Sequence, residues 1–295
     1  MNNNKKLFTI MTAILFSVFS NNSYAVEITT SAEYTLGSAP TVSVTSPTSS
    51  TSAAVTSYGT PLDTPDPDGN ELRFNNFGDN TGSYFSRAEG SGTYNVSSTV
   101  TYVDTVMNAG AATNYSFDFN VIPGELYVGL ADYSEGLYSP GYVDSGYNFE
   151  ILLNGVSIFS SMASLRLDEN GINLTQSGTS LGGTFIDSYY DGSYSWNAFA
   201  GTLDLGTIAA GETFTLTYGV TTYANGAIEP GGSCCVDQSG LSSSLFGDPS
   251  GLSATPFTYT TSPATTVASV PEASSYILLG IGIASLALRR KKKLM

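Results

Sequence analysis

The sequence lacks histidine altogether, and it has no lysine between Val26 and Val270. Without histidine, the chain cannot build a Ser-His-Asp or Cys-His nucleophile system, or a zinc or iron site with histidine ligands. Without lysine in this central body, Schiff-base chemistry and a phosphate-cradling P-loop are excluded as well. What remains for the body is chemistry carried by carboxylates, or no chemistry.

Basic residues of any kind are scarce in the body. Only Arg73, Arg87 and Arg166 stand against 24 Asp and Glu, which gives residues 26–270 a net charge of −21. Because such a charge repels phosphate groups, we expect no nucleic-acid partner. We also expect no cofactor. The one ion that this surface favours is Ca²⁺, bound diffusely by carboxylates that face outward.

The N-terminus has the three regions of a secretory signal. Two lysines form a positive region, residues 7–19 are apolar but short for a membrane span, and Ser23 and Ala25 supply the small residues that signal peptidase reads. We therefore predict a signal peptide over residues 1–25 that signal peptidase removes after Ala25. The alternative, an N-terminal membrane anchor, fits less well because the apolar region is short.

The C-terminus combines an apolar segment with a basic run. Residues 274–288 predict a transmembrane helix, which at ~1.5 Å per residue is shorter than a ~30 Å hydrocarbon core and inserts by local thinning of the bilayer. A basic run stops this helix on the cytoplasmic side and places the body across the inner membrane, as the signal peptide also requires. The basic residues are Arg289, Arg290, Lys291, Lys292 and Lys293.

A short motif precedes this helix, formed by Val270, Pro271 and Glu272 and followed by Ala273. The order of motif, helix and basic run resembles the PEP-CTERM sorting signal of Gram-negative bacteria. The resemblance implies processing near the motif by an exosortase, a membrane-embedded protease or transpeptidase, and delivery to a cell surface or matrix that contains exopolysaccharide. Ala273 departs from the family, which usually has proline there. The alternative is an ordinary tail anchor with a chance Val-Pro-Glu.

The body has the composition and the periodicity of a secreted all-β protein. Charged residues make up 12% of the chain, against about 25% in a typical soluble domain. Alternation of apolar and polar residues predicts about ten strands with one buried face each, which favours an antiparallel β-sandwich of the jelly-roll type. The clearest segments are 26–36, 115–121, 126–130, 147–153, 156–159 and 213–221, and the weaker ones are 95–106, 163–167, 172–177 and 255–261.

The body divides into one domain and a stalk. We predict a β-sandwich domain over residues 26–261, with a long Ser/Thr/Pro-rich loop at 38–70 that holds at most a short strand at 42–44. An extended stalk follows at 262–269, and the sorting signal occupies residues 270–295.

The only two cysteines, Cys234 and Cys235, are adjacent. An exported protein meets an oxidising compartment, so free thiols are disfavoured. Three states compete: a vicinal disulfide, which is strained because neighbouring Cα atoms lie only ~3.8 Å apart, two intermolecular bridges, or reduced thiols. We favour the vicinal disulfide, acting as a loop staple rather than as an apolar platform for a ligand.

An acidic turn at residues 64–71 resembles fragments of calcium loops. Asp66, Asp68 and Asn70 supply hard oxygens on a turn, but the twelfth place of an EF-hand register falls on Asn75 rather than on glutamate. We therefore interpret the segment as a solvated acidic turn, with a calcium site as the weaker alternative. We predict no other metal site.

The most aromatic window of the chain predicts a β-hairpin. With a turn at residues 191–192, Tyr189 faces Tyr194 and Asp187 faces Trp196 on one face of the ribbon. Aromatic rings beside a carboxylate are typical of a sugar-binding platform, but the same pattern is typical of ordinary core, which we favour. Asp187 fits a core poorly, because a buried carboxylate needs a partner.

The functional prediction follows from the tail and from the absence of a catalytic motif. No carboxylate pair stands out by its spacing as the acid and base of a glycoside hydrolase. The sequence therefore favours an exported, non-catalytic surface or extracellular-matrix protein associated with exopolysaccharide or biofilm. A glycan-binding module is the first alternative, and a carboxylate-dependent glycosidase is the second.

Overall fold

A computed structural model describes residues 23–57, 70–80, 84–130, 141–188, 191–227, 240–247 and 258–263. Within these ranges, every helix or strand element is a β-strand. The strands are β1 (Ser23–Leu36), β2 (Val42–Thr45), β3 (Ser52–Ser57), β4 (Glu71–Asp79), β5 (Tyr84–Ser91), β6 (Tyr94–Met107), β7 (Thr113–Val121), β8 (Gly124–Leu130), β9 (Tyr142–Leu153), β10 (Val156–Asp168), β11 (Gly171–Gly178), β12 (Thr184–Asp187), β13 (Asp191–Trp196), β14 (Phe199–Ile208), β15 (Thr213–Ala227), β16 (Gly240–Gly247) and β17 (Thr258–Pro263).

The strands form three sheets. The first sheet has the order β11-β10-β9-β15-β6-β1-β2, the second has the order β12-β13-β8-β16-β5-β4-β3, and the third has the order β14-β7-β17. Each strand pair whose register is described is antiparallel. The prediction of an all-β body with antiparallel sheets is therefore confirmed.

The first sheet is built around β6. This strand pairs with β1 and with β15 along its whole length, from Tyr94 to Met107. Its burial alternates strictly, because successive side chains of a strand point to opposite faces. Most of the inward positions are apolar, with Ser98 and Asp104 also buried, and threonines such as Thr99 and Thr101 face outward, where a β-branched polar residue suits a half-buried surface.

Inward-facing side chains form two apolar clusters. The larger cluster is aromatic and joins residues of all three sheets, for example Tyr102, Phe117 and Phe246. The smaller cluster lies between the first two sheets and has shorter side chains. Its buried members are Ala32, Leu72, Phe74, Ala88, Tyr94, Val96 and Ala224.

A buried polar layer separates the two clusters. Ser98 on β6 pairs with Thr222 on β15. On the same face of β6, Ser98 lies two residues from Val96 of the smaller cluster and two residues from Val100 of the larger cluster. Two side chains of the second sheet meet them: Asn76 Nδ2 donates to Ser98 Oγ (3.0 Å), and the Ser86 and Thr222 hydroxyls share a hydrogen bond (2.8 Å). We call Asn76, Ser86, Ser98 and Thr222, which are all fully buried, the polar layer.

The segment predicted as a long loop contains more structure than expected. β2 corresponds to the short strand predicted at 42–44, but β3 is a second strand within residues 38–70, so the prediction of at most one strand there is wrong. β3 pairs with β4 from Ser52 to Ser57. Backbone pairing to a neighbouring strand defines β3, and its sequence lacks the apolar alternation that would have indicated it.

The ends of the described body depart slightly from the predicted limits. β1 begins at Ser23, so cleavage after Ala25 would remove its first three residues and leave Val26 paired with Asp104. β17 ends at Pro263, two residues beyond the predicted end of the domain.

No helix in the described ranges is long and apolar enough to cross a membrane. The transmembrane helix predicted at residues 274–288 lies outside those ranges, as does most of the signal peptide.

Candidate functional sites

The aromatic hairpin is present, but its register differs from the predicted one. β12 pairs with β13 so that Phe185 lies opposite Tyr194 and Asp187 lies opposite Gly192. The prediction that Asp187 faces Trp196 and that Tyr194 faces Tyr189 is therefore wrong. Tyr189 itself lies outside the described residues.

Packing of the strand explains why residues 191–192 do not form the turn. The Ser188 N–H donates to the Asp191 carbonyl (2.9 Å), which closes the hairpin before Gly192. A Cβ at Gly192 would lie 2.8 Å from Cγ2 of Ile172 on β11. This glycine therefore serves close packing between two strands, and its sequence pattern with Asp191 imitates a turn.

The structure separates Asp187 from the other two described members of the predicted aromatic platform, Tyr194 and Trp196, whose ring centres lie 5.8 Å apart. Tyr194 and Trp196 are only 1% and 3% exposed, whereas Asp187 is exposed to solvent. The Trp196 ring lies 4.7 Å from that of Tyr147 and 5.3 Å from that of Phe246, and its Nε1 donates to the Ile122 carbonyl (3.2 Å). Both rings belong to the core and present no open face to a sugar.

Asn70, the last residue of the weak calcium candidate, has a structural role. It is 7% exposed, and its Oδ1 accepts a hydrogen bond from the Thr93 N–H (2.7 Å). That oxygen anchors the β5–β6 connection. Asp66 and Asp68 lie outside the described residues, and the described part of the chain contains no group of three or more Cys, Asp or Glu placed to hold a metal ion.

The remaining predicted sites lie outside the described residues. They are the adjacent cysteines Cys234 and Cys235, the motif Val270, Pro271, Glu272 and Ala273, and the basic run from Arg289 to Lys293. The Cys234–Cys235 bridge therefore stays a prediction.

Arg166 lies between two carboxylates on the first sheet. Its Nε lies 3.0 Å from Asp168 Oδ2, its Nη1 lies 3.6 Å from Asp144 Oδ2, and its guanidinium lies 4.0 Å from the centre of the Tyr142 ring. Asp144 also accepts a hydrogen bond from Asn225 Nδ2 (2.6 Å). The guanidinium is thus held by two charges and one ring.

These two carboxyl groups have pKa values shifted in opposite directions. Burial raises the pKa of Asp144, and the Asn225 hydrogen bond and Arg166 only partly offset that rise. The backbone N–H of Asn170, together with Arg166, lowers the pKa of Asp168. Opposite shifts can mark an acid and base pair, but a glycosidase pair leaves room for a sugar or water between its carboxyls. Here one guanidinium contacts both.

The other two arginines share one carboxylate on the outer face of the second sheet. Arg87 Nε donates to Glu89 Oε2 (3.0 Å), with Nη2 contacting the same oxygen, and Arg73 Nη1 lies 3.7 Å from Oε1. Arg73 on β4 stands directly opposite Glu89 on β5. The sequence did not indicate this cluster, although the i, i+2 spacing of Arg87 and Glu89 places both on one face of a strand.

A groove of about 250 Å³ opens beside this cluster. It crosses three neighbouring strands, β4, β5 and β16. We call it the arginine groove. Its lining residues are Glu71, Leu72, Arg73, Arg87, Glu89, Gly90, Ser91 and Leu241.

Comparison with known proteins identifies the tail and leaves the body unassigned. A family model for the PEP-CTERM protein-sorting motif matches residues 269–291, which include the predicted motif, the predicted helix and the start of the basic run. The predicted PEP-CTERM tail is therefore confirmed. No curated protein matches the chain. A PEP-CTERM tail implies export, processing by an exosortase, and a cell-surface or extracellular fate.

Proposed function

We propose that the chain is a non-catalytic β-sandwich protein of a Gram-negative bacterium, which an exosortase sorts to the cell surface or the extracellular matrix. The match of the PEP-CTERM motif to residues 269–291 is the observation that carries the proposal. Signal peptidase removes residues 1–25, the helix at 274–288 holds the chain briefly in the inner membrane, and exosortase then acts near Pro271. The released body associates with exopolysaccharide or biofilm.

Contacts between the first two sheets support the sandwich. Side chains from β4, β5 and β16 meet the inner faces of β6, β9 and β15, as in the hydrogen bond from Ser244 Oγ to the Gly146 carbonyl (2.8 Å). Side-chain contacts between the inner faces of two sheets are what a sandwich requires. A scaffold held by such a core suits a protein exported as a structural component.

Pairing of the three body arginines supports the non-catalytic assignment. Each of the three body arginines contacts a carboxylate that is at most 25% exposed in its side chain. Arginines placed in this way stabilise half-buried acids. If the purified protein released reducing sugar from the exopolysaccharide of its producer, the non-catalytic assignment would be wrong.

Processing of the tail tests the sorting proposal. We expect intact-mass measurement of surface-extracted protein to show loss of the residues after about Pro271. A variant with Pro271→Ala and Glu272→Ala should keep its tail and stay in the inner-membrane fraction. Thr265→Ala with Thr266→Ala is the matched control in the predicted stalk, and this variant should be processed normally. Surface molecules that still carry the basic run would refute the proposal.

A further inference from the structure

The arginine groove stands out in a body of net charge −21. It gathers two of the three basic side chains between residues 26 and 270. Two acids, Glu71 and Glu89, line the same groove, so its four charged residues sum to zero. A local net charge of zero on a strongly acidic protein is a place where a single anionic group meets little repulsion.

In contrast to Arg166, Arg73 has guanidinium N–H groups that are available to a ligand. The side chain of Arg73 is 53% exposed, and its Nη1 lies 3.7 Å from Glu89 Oε1, beyond hydrogen-bond distance. Arg166 donates to Asp168, contacts Asp144 and stacks on Tyr142. Arg73 is therefore the arginine whose planar fork remains open to a carboxylate in the described part of the chain.

Glu89 fixes the geometry of the groove. Its side chain is only 14% exposed, and it holds Arg87 through contacts from both Nε and Nη2 to one carboxylate oxygen. An arginine held in this way loses little further freedom when a ligand binds, which favours affinity. Arg87 is therefore already ordered in the folded protein, and Arg73 is the groove arginine that a ligand has to order.

The lining selects one class of ligand. A carboxylate with a single charge satisfies the open fork of Arg73, whereas a phosphate would bring up to two charges beside Glu71 and Glu89. The Ser91 hydroxyl and the two carboxylates accept hydrogen bonds from hydroxyl groups, and Leu241, which is 41% exposed, offers an apolar contact. A sugar acid carries one carboxylate and several hydroxyls on one ring. An acidic peptide would offer a carboxylate without the neighbouring hydroxyl groups that these acceptors bind.

We propose that the arginine groove binds the carboxylate of a sugar acid within a polysaccharide, with Arg73 as the residue that recognises the charge. This inference rests on the proposed association with exopolysaccharide and assigns that association to a place. The proposed site also explains how an acidic protein binds an acidic polymer. Salt at physiological concentration screens the repulsion between them beyond about 8 Å, so the contact at the arginine groove determines whether the polymer binds.

Calorimetric titration of the mature surface protein at 0.15 M NaCl tests the proposal, with trigalacturonate and its methyl ester as probes. We expect trigalacturonate to bind and the ester, which lacks the charges, to bind at least about tenfold more weakly, as loss of one charge-assisted hydrogen bond predicts. Arg73→Gln should weaken the binding of trigalacturonate about tenfold, and Arg73→Lys should restore part of it.

Arg166→Gln is the matched control, because it makes the same change in net charge on the other sheet. Equal binding by Arg73→Gln and Arg166→Gln, equal affinity for the acid and its ester, or tighter binding of a tri-glutamate peptide would each overturn the inference. A wild-type dimer that Arg73→Gln converts to monomer, without any sugar binding, would assign the groove to a second copy instead. Tail processing is measured independently, so the sorting proposal survives any of these failures.

Discussion

The aromatic cluster and the polar layer are equally buried, yet different forces hold them together. In the aromatic cluster, Phe149 is 1% exposed and its ring lies within 6.3 Å of the rings of Tyr84, Phe119, Phe159 and Phe246. The contacts come from all three sheets. Stabilisation here scales with buried apolar area and tolerates several relative orientations of the rings.

The polar layer depends on direction instead. Asn76 Nδ2 donates to the Ser31 carbonyl (2.7 Å) and to Ser98 Oγ (3.0 Å), and so ties β4 of the second sheet to β1 and β6 of the first. A hydrogen bond contributes little net free energy, but a buried group left without its partner costs much more. The aromatic cluster therefore supplies stability, whereas the polar layer penalises any other alignment of the two sheets.

Removing a ring from the aromatic cluster should give the largest effect. We expect Phe149→Ala to lower the free energy of unfolding by about 3–5 kcal/mol, because it removes buried area and leaves a cavity among four other rings. Urea unfolding followed by tryptophan fluorescence measures the loss, since Trp196 lies in the same cluster. Phe185→Ala, at a ring that is 39% exposed, is the matched control and should change stability by less than about 0.5 kcal/mol. Equal losses of unfolding free energy in the two variants would show that the ring of Phe149 contributes no more to stability than the exposed ring of Phe185.

Removing the amide should break the polar layer at a smaller cost. We expect Asn76→Ala to destabilise the protein by about 1–3 kcal/mol, because the Ser98 hydroxyl and the Ser31 carbonyl lose a donor inside the core. Asn173→Ala on the exposed strand β11 controls for the change of residue type and should be nearly neutral. A neutral Asn76→Ala would mean that water replaces the amide and that the layer is not closed.

The same contrast explains which strands the sequence revealed. Strands of the first sheet, such as β6, β9 and β15, have inner faces rich in Val, Tyr and Phe, so apolar alternation indicated them. In the second sheet, apolar alternation did not indicate β4, β5 and β16. Their inner positions include Asn76, Ser86, Ser242 and Ser244, which are all fully buried. Hydrophobic periodicity cannot detect a strand whose buried side chains are polar and bond to the facing sheet.

The candidate sites divide along a similar line. The sorting tail could be predicted because a targeting signal is read locally, from the order of motif, apolar segment and basic run. The hairpin register could not be predicted, because Gly192 is required by the nearby side chain of Ile172 on β11, which is distant in sequence. The arginine groove also depends on pairing between strands, which sets Arg73 opposite Glu89. No local pattern reports that pairing.

The contrast between buried and exposed groups recurs at Arg166, where it gives the smallest expected effect. The pKa of Asp144 is raised in the folded protein, mainly by burial, so this group contributes stability that is present below its unfolded pKa and is lost as pH rises through the folded pKa. The pKa of Asp168 is lowered, so this group contributes stability that is present above its unfolded pKa and is lost as pH falls through the folded pKa.

The unfolding free energies of the wild type, Asp144→Asn and Asp168→Asn, measured from about pH 3 to pH 7, should therefore show differences from the wild type that change with pH in opposite directions. Relative to Asp144→Asn the wild type should gain stability toward acid, and relative to Asp168→Asn it should lose stability. If the unfolding free energies of both variants instead changed with pH in the same way, the pKa values of Asp144 and Asp168 would not be shifted in opposite directions.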